Sequence, residues 1–384
     1  MATTNSSILE PKKAGQRRLL ALDGGGIRGL ITLGILEKME ADLRRILKKD
    51  ASFRLADYFD FIGGTSTGAI LAVGLSIGLS ASELTKFYLE AGPLMFKKEE
   101  LLERLWNKFK SDPLEMKLKE ILGKTTELGS PKLKTLLLLV MRNVSTDSPW
   151  PVTNNPNAHY NARDRDDCNL KLPLWQLVRA STAAPTYFPP EVVKLKEGRQ
   201  FVFVDGGVTP YNIPAFLMFR KATAEPYRLL WERGEDKMLI VSAGTGSAPR
   251  LGPQAGDPNR SLLEVAMSIA GEMMNGMAYD QDINCRTVGR CVFGPEIDRE
   301  VKDMVPAQPL SENLGRSFLY ARYDPDLTRE GLDALGLKKL SPEAVGKMDS
   351  VKAIDDLMAV GKAYAKKALD IGAQWGPFGT AAAA

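Results

Sequence analysis

A serine between two glycines, Ser66 in the sequence GTSTG at positions 64–68, is the residue of this chain best suited to nucleophilic chemistry. In α/β-hydrolases a G-x-S-x-G turn strains the backbone so that the serine hydroxyl projects, and an acidic residue and a histidine follow it in the chain. This chain contains a single histidine, His159, in an asparagine-rich stretch. The base for Ser66 is therefore His159 or a carboxylate, and the best carboxylate is Asp205 in FVFVDGG at 201–207.

Each of these residues also has a simpler interpretation. Ser66 could act only as the N-cap acceptor of the helix that follows it. Asp205 could only begin a turn, because Asp-Gly is a frequent turn dipeptide. His159 could be an ordinary loop residue, and we expect its replacement by alanine to leave turnover nearly intact.

A second glycine-rich segment, GGGIRG at 24–29, follows a predicted strand and precedes a predicted helix. Glycines allow backbone geometries that are closed to other residues, and the N-H groups at a helix N-terminus attract anions. The N-H groups around Gly24, Gly25 and Gly26 are therefore candidates for an oxyanion hole. Arg28 is a candidate for contact with a phosphate-bearing head group, for support of the loop, or for a surface ion pair.

The same segment also matches the dinucleotide fingerprint G-x-G-x-x-G through Gly24, Gly26 and Gly29. That fingerprint requires an acidic residue about 20 positions later, at the end of the second strand. Asp50 has about this spacing but lies in a polar stretch ahead of the predicted strand. A nucleotide-binding module that uses the loop at 24–29 thus remains an alternative from a different functional class.

Apolar runs that end in glycine turns alternate with helical periodicity, which predicts a largely parallel sheet covered by helices. Four such turns, at 23–29, 63–68, 205–207 and 244–246, would then lie along one carboxyl edge, where open α/β sheets bind ligands. The predicted strands are Arg18 to Asp23, Tyr58 to Gly63, Thr135 to Val144, Gln200 to Asp205 and Lys237 to Ala243, and the predicted helices include Leu30 to Leu47 and Ala69 to Ile77.

No composition break marks a linker, so we expect one enlarged α/β domain. It comprises a flexible N-terminal segment at 1–15, a catalytic core at 16–250 with a helical insertion at about 94–122, a helical C-terminal elaboration packed on the core at 251–371, and a frayed tail at 372–384.

Composition excludes several classes of protein. A net charge of +4 over 384 residues is too small to indicate a nucleic-acid partner. Three cysteines and one histidine predict neither a disulfide framework nor a metal site, and no cofactor is expected. The N-terminus lacks the apolar core of an export signal, and we predict a cytoplasmic protein.

Four motifs in order and spacing, DGGGIRG at 23–29, GTSTG at 64–68, AAPTYFP at 183–189 and DGG at 205–207, resemble the patatin-like phospholipase family. The resemblance implies a three-layer α/β/α fold and hydrolysis of ester bonds in phospholipids or other acyl lipids. It implies that Ser66 is the nucleophile, Asp205 the base, and Gly24, Gly25 and Gly26 the oxyanion hole. Transfer of the acyl group to an acceptor other than water is the alternative enzyme reaction.

A lipid substrate requires an apolar approach surface, and the insertion offers a basic amphipathic pattern with Leu94, Trp106 and Phe109. We therefore expect peripheral membrane contact when the protein is active, with packing of this helix on the core as the alternative. Met267, Met273, Met274 and Met277 are candidates for an acyl groove or for core packing. Some bacterial members of the resembled family await a cyclic nucleotide signal, which makes such an activator an expectation here. The sequence predicts no oligomeric state.

Overall fold

The computed structural model of the protein describes residues 6–96, 113–185, 187–195, 199–247, 262–297 and 315–380. Within these ranges the chain forms one nine-stranded sheet in the order β5-β6-β3-β2-β1-β7-β9-β8, with β4 paired to β3. The strands are β1 (Arg17–Leu22), β2 (Phe61–Thr65), β3 (Leu136–Asn143), β4 (Ser148–Thr153), β5 (Glu191–Lys194), β6 (Gln200–Asp205), β7 (Met238–Ala243), β8 (Arg290–Phe293) and β9 (Leu319–Tyr323).

Helices cover both faces of this sheet. The α-helices of the described residues are α1 (Gly29–Ile46), α2 (Thr67–Ser76), α3 (Ala81–Phe96), α4 (Pro113–Leu122), α5 (Leu174–Ser181), α6 (Ala215–Thr223), α7 (Leu262–Val288), α8 (Arg329–Ala334), α9 (Pro342–Gly346), α10 (Ile354–Ala368) and α11 (Ile371–Gln374). Successive strand residues point to opposite faces. Leu20 and Leu22 of β1 accordingly join one apolar core with α1, and Leu19 and Ala21 join a second core with α6. The predicted three-layer α/β/α arrangement is confirmed.

The centre of the sheet is parallel, as predicted. The six adjacent strands β3, β2, β1, β7, β9 and β8 pair with one another in parallel. The five predicted strands and the two helices predicted from Leu30 to Leu47 and from Ala69 to Ile77 begin and end within three residues of the observed ones. For example, the strand predicted from Arg18 to Asp23 is β1, and the helix predicted from Leu30 to Leu47 is α1. Most of the helical insertion predicted at about 94–122 lies outside the described residues.

The direction of β6 differs from the predicted parallel arrangement. This strand runs antiparallel to β3, with Asp205 paired to Met141. The pairing of β2 with β3 ends at Thr65 opposite Val140, so β3 extends beyond β2 at the carboxyl edge of the sheet. β6 pairs with this extension in the opposite direction, and its last residue, Asp205, therefore lies next to the end of β2. Asp205 reaches the same edge as the other glycine turns because its strand runs toward that edge from the opposite side.

The residues after 250 contribute to the central sheet as well as to the helices. β9 pairs with β7 and β8, and both β8 and β9 lie in the interval predicted to be a helical elaboration. Trp375 and Phe378 near the C-terminus are fully buried beside Tyr58. The helical expectation is therefore wrong for β8 and β9. The expectation of a frayed tail at 372–384 is wrong for its described part, because Trp375 and Phe378 are packed into the core. The boundary at residue 250 stays a prediction.

Candidate active site

Ser66 lies in a strained turn between β2 and α2. It has φ 55° and ψ −122°, a backbone conformation that costs energy for a residue with a side chain. The flanking glycines permit this turn because a Cβ on Gly64 would lie 2.0 Å from the carbonyl oxygen of Gly68. A Cβ on Gly68 would lie 2.2 Å from the carbonyl oxygen of Leu22 in β1. Ser66 makes no side-chain cap hydrogen bond to α2, so the alternative interpretation of its hydroxyl as an N-cap acceptor does not hold.

The hydroxyl of Ser66 instead meets the carboxylate of Asp205. Ser66 Oγ donates to Asp205 Oδ2 at 2.6 Å, although the two residues are 139 positions apart. The second carboxylate oxygen, Oδ1, accepts from the N-H of Gly207 at 2.6 Å. Burial raises the pKa of Asp205 to about 6, against the hydrogen bonds from Ser66 and Gly207 and the nearby charge of Arg179, which lower it.

A second serine holds the backbone of the turn. The N-H of Ser66 donates to Ser181 Oγ at 3.0 Å, and Ser181 Oγ donates to the carbonyl oxygen of Val140 at 2.6 Å. Ser181 is fully buried at the end of α5, two residues before the start of the AAPTYFP motif. Sequence reasoning missed this residue, and its position near a motif was the only available signal.

The three glycines of the loop after β1 have different environments. The N-H of Gly24 donates to the carbonyl oxygen of Asn212 at 3.3 Å, so it is already engaged. Within the described residues, the N-H groups of Gly25 and Gly26 have no hydrogen-bond acceptor. Gly26 has φ 62°, and the next N-H, that of Ile27, donates to the carbonyl oxygen of Met348 at 2.9 Å. Gly24 adjoins the serine, because a Cβ on it would lie 3.2 Å from Ser66 Cβ.

Arg28 links this loop to a neighbouring loop. Its Nη1 donates to the carbonyl oxygen of Gly246 at 3.1 Å. Burial lowers the pKa of Arg28, while the charges of Asp324 and Asp23 raise it. Of the three predicted alternatives, this contact agrees with support of the loop; head-group binding stays a prediction.

The other sequence candidates lie elsewhere. His159 is exposed, its ring packs edge-on against Tyr160, and no contact within the described residues joins it to Ser66. Asp50 accepts hydrogen bonds from Ser52 in an exposed turn. Neither residue is brought to the site.

The predicted lipid-contacting residues are only partly described. Leu94 is exposed at the end of α3, whereas Trp106 and Phe109 lie outside the described residues, as does the side chain of Met267. Met273 is exposed on α7, and Met274 reaches the site, since its Cε would lie 3.3 Å from a Cβ on Gly207.

Where the structure describes the chain, it contains no group of three or more histidine, cysteine or acidic side chains suited to a metal ion. In the same residues no helix combines the length and apolarity that crossing a bilayer requires.

This geometry suits acyl transfer to a serine. The carboxylate can accept the proton of the hydroxyl as the oxygen attacks a carbonyl carbon. N-H groups that lack internal acceptors can stabilise the negative oxygen that develops. Ser66, Asp205 and the glycine loop come together although they derive from three separate strands.

Comparison with known proteins gives concordant matches. The family model described as patatin-like phospholipase matches residues 20–219. Patatin-17 of Solanum cardiophyllum is 33% identical over 264 residues, and Patatin-16 of Solanum tuberosum is 30% identical over 263 residues. Each alignment covers 64% of this chain and 64% of the relative. The crystal structure of VipD from Legionella pneumophila aligns with 90% of this chain and 67% of that chain, at 14% identity and a TM-score of 0.33, a value too low to carry an argument.

Proposed function

The chain belongs to the patatin-like phospholipase family, and we propose on this basis that it is a lipid acyl hydrolase that cleaves ester bonds of phospholipids through Ser66 and Asp205. The observation that carries the proposal is the 2.6 Å hydrogen bond from Ser66 Oγ to Asp205 Oδ2. Because the chain spans about 64% of the length of the curated relatives it matches, the activity is argued from this chain's own site.

The first half of the reaction forms an acyl-enzyme. Ser66 Oγ attacks the ester carbonyl carbon while its proton passes to Asp205 Oδ2. The carbonyl oxygen becomes negative and accepts from the N-H groups of Gly25 and Gly26, each worth a factor of about 100 to 1,000 in rate. Collapse of this intermediate breaks the ester bond, and the proton on Asp205 goes to the departing alkoxide.

Water completes the cycle. Asp205 removes a proton from a water molecule, the resulting oxygen attacks the acyl carbon, and Ser66 regains its proton as the fatty acid leaves. An alcohol in place of water would give the alternative acyl transfer from the same intermediate. Product analysis with and without an alcohol acceptor distinguishes the two reactions.

Gly24 has a different part in this proposal from the one first predicted. Its N-H already donates to Asn212, so we assign the oxyanion contacts to Gly25 and Gly26. Gly24 is needed for close approach, because a Cβ there would lie 2.3 Å from Asn212 Oδ1. Asn212 thus contacts Gly24 through both its backbone carbonyl oxygen and its side chain.

The decisive experiment compares three variants in one assay. Purified protein is incubated with mixed phospholipids, released fatty acids are identified by mass spectrometry, and a fluorophosphonate probe reports covalent labelling. We expect Ser66→Ala to abolish labelling and Ser66→Ala and Asp205→Asn each to lose at least about 1,000-fold in turnover. His159→Ala is the control and should retain turnover. Labelling that persists in Ser66→Ala, or a thousand-fold loss in His159→Ala, contradicts the proposal.

Two finer elements of the proposal rest on the sequence: peripheral membrane contact on the basic amphipathic pattern of the insertion, and activation by a signal on the family resemblance. Peripheral membrane contact predicts that the protein floats with anionic liposomes and that charges placed at Trp106 and Phe109 reduce flotation. A role as a signal-activated membrane-degrading effector predicts faster hydrolysis when cyclic nucleotides are added. Hydrolysis that is already maximal without any nucleotide excludes that role.

A further inference from the structure

A buried ionic cluster lies directly beneath the glycine loop. Arg322 of β9 donates through Nη2 to Asp23 Oδ2 at 2.6 Å and to Asp324 Oδ2 at 3.1 Å. Its other terminal nitrogen, Nη1, donates to Ser242 Oγ at 2.8 Å. The side chains of all three charged residues are less than 10% exposed. Arg322 and Asp324 lie outside the residues matched by the family model.

One side of this cluster holds the start of the loop. Asp23 immediately precedes Gly24, and its N-H donates to the carbonyl oxygen of Ala243 at 3.2 Å. Its side chain is tied to β9 by Arg322. The residue that sets the direction of the loop is therefore fixed at both its backbone and its carboxylate.

The other side of the cluster holds the loop that packs against the glycines. Asp324 accepts from the N-H of Gly246 at 2.8 Å and from Ser247 Oγ at 2.6 Å. Thr245 in the same loop donates to the carbonyl oxygen of Gly24 at 3.1 Å. It also lies so close that a Cβ on Gly25 would be 2.2 Å from Thr245 Oγ1.

The geometry requires an arginine. A planar guanidinium offers several N-H groups in fixed directions and can serve Asp23, Asp324 and Ser242 together, whereas an ammonium is a shorter-reaching point charge. Removing the positive charge would leave two carboxylates facing each other in a buried site, which is strongly unfavourable. Both loops would then shift.

We propose that Arg322 is a positioning residue of the active site, which holds Asp23 and Asp324 so that the N-H groups of Gly25 and Gly26 point at the oxyanion. This inference rests on the proposed hydrolase function. Arg322 does not touch the substrate; it acts through the two loops. An oxyanion contact matters in the transition state and not in the bound ester, so displacement of the loop lowers kcat and leaves KM nearly unchanged.

The test compares Arg322→Lys and Arg322→Met with a control, Arg18→Lys. Arg18 is a similarly buried arginine near the start of β1, away from the glycine loop. Its guanidinium lies over the ring of Tyr58 and donates to Gln16 Oε1 at 3.1 Å. Hydrolysis of a soluble ester is measured and kcat is expressed per serine labelled at the fluorophosphonate end point, which removes any loss of folded protein from the comparison. We expect kcat to fall about 10-fold in Arg322→Lys and about 100-fold in Arg322→Met, with KM within twofold of wild type.

The control variant should lose stability comparably while its kcat per labelled serine stays within twofold of wild type. The proposal is overturned if the kcat per labelled serine of Arg322→Lys also stays within twofold of wild type. If Arg322→Lys does not fold, Asp324→Asn provides the test. The asparagine keeps an oxygen that can accept from the N-H of Gly246 but lacks the charge that faces Arg322. An unchanged kcat in Asp324→Asn overturns the proposal. Failure of the hydrolase function itself is distinguishable, because wild-type protein would then show no labelling of Ser66.

Discussion

At the scale of single residues, the burial of Asp205 opposes the ionised state that its proposed role as a base requires. Its carboxylate is 5% exposed and must be ionised to accept a proton, yet burial favours the neutral acid. Arg179 and the two hydrogen bonds from Ser66 and Gly207 restore part of the ionised form. The resulting pKa of about 6 is suited to a base that works near neutral pH.

This pKa predicts the pH dependence of hydrolysis. Below about pH 6 Asp205 is protonated and cannot accept the proton of Ser66, so kcat/KM should rise with pH through about 6 and then level. A pH-rate profile with a soluble ester measures it. The His159→Ala variant should show the same rise of kcat/KM through about pH 6. Loss of this rise in His159→Ala would show that the imidazole, and not Asp205, is the group that titrates.

A second prediction concerns stability. Because the folded-state pKa of Asp205 is raised, its contribution to stability is present below about pH 4 and is lost as pH rises through about 6. Asp205→Asn has no charge to bury and can still accept from Gly207. We expect it to be more stable than wild type at pH 8 by about 1 to 3 kcal/mol, and by much less at pH 4.

Denaturant unfolding of both proteins at the two pH values measures this difference. Titrating groups that both proteins share contribute equally to their stability at each pH, so these contributions cancel in the comparison. Asp23 is one such group, since burial raises its pKa as well. Equal stability of the two proteins at pH 8 would contradict the prediction.

The sequence pointed to Ser66 and Asp205, the proposed reacting residues, but not to the residues that position them. Ser66 and Asp205 stand in glycine motifs because their turns require close backbone approach, and that requirement is visible in the sequence. Ser181, Asn212 and Arg322 act through contacts between distant elements. A lone arginine in a short strand has the same appearance in a sequence whether it holds a loop or faces solvent.

At the scale of secondary-structure elements, the direction of β6 illustrates a similar limit. The apolar residues of β6 are followed by Asp205-Gly206-Gly207, just as the parallel strands are followed by glycine turns. Side chains alternate between the two faces of a sheet in the same way in parallel and antiparallel strands, so this pattern does not reveal the direction of β6. Direction depends on how the chain after β3 returns through β4 and β5, which local patterns do not encode. The prediction that the glycine turns converge was correct, but Asp205 reaches the shared edge through an antiparallel strand and not through the predicted parallel one.

The glycine loop also depends on a segment from the other end of the chain. The carbonyl oxygen of Met348 accepts from Ile27 and would lie 2.3 Å from a Cβ on Gly26. Since Gly26 also has φ 62°, Gly26→Ala must move the loop or the segment at 347–350. We expect turnover to fall about 10- to 100-fold with a stability loss of about 1 to 2 kcal/mol.

Gly315→Ala provides the control for this variant, because a Cβ there meets nothing within 4 Å. It should match wild type in both turnover and stability. Wild-type turnover in Gly26→Ala would show that the loop tolerates the displacement and that Gly26 is not an oxyanion donor.

At the scale of the whole molecule, the residues after 250 form one half of the chain and complete the sheet that carries the candidate site in the other half. β9 lies between β7 and β8, and it supplies Arg322 to the loop after β1. Trp375 donates to Tyr323 at 2.9 Å, and Tyr58 donates to the carbonyl oxygen of Phe378 at 2.8 Å. A five-residue strand within an irregular stretch gives too weak a periodic signal to be predicted, which explains why β9 was missed.

Helices α1 and α10 cross in close contact, and this crossing joins residues before 250 to residues after it. A Cβ on Gly361 would lie 2.5 Å from the carbonyl oxygen of Ile31, and a Cβ on Gly34 would lie 2.7 Å from the carbonyl carbon of Gly361. Gly361→Ala should therefore separate the helices and destabilise the protein by about 1 to 3 kcal/mol. Gly372→Ala, where a Cβ meets only Asp370 Oδ1 at 3.7 Å, is the control and should unfold like wild type.

Two probes of the same unfolding decide whether the chain is one cooperative unit. Circular dichroism reports all helices, and fluorophosphonate labelling reports Ser66 in the other half of the molecule. Because the sheet, the Arg322 cluster and the crossing of α1 and α10 connect the halves, both denaturation midpoints should fall together in Gly361→Ala. If circular dichroism showed an early transition while labelling kept its wild-type midpoint, the residues after 250 would unfold separately, and the predicted boundary there would be a true domain boundary.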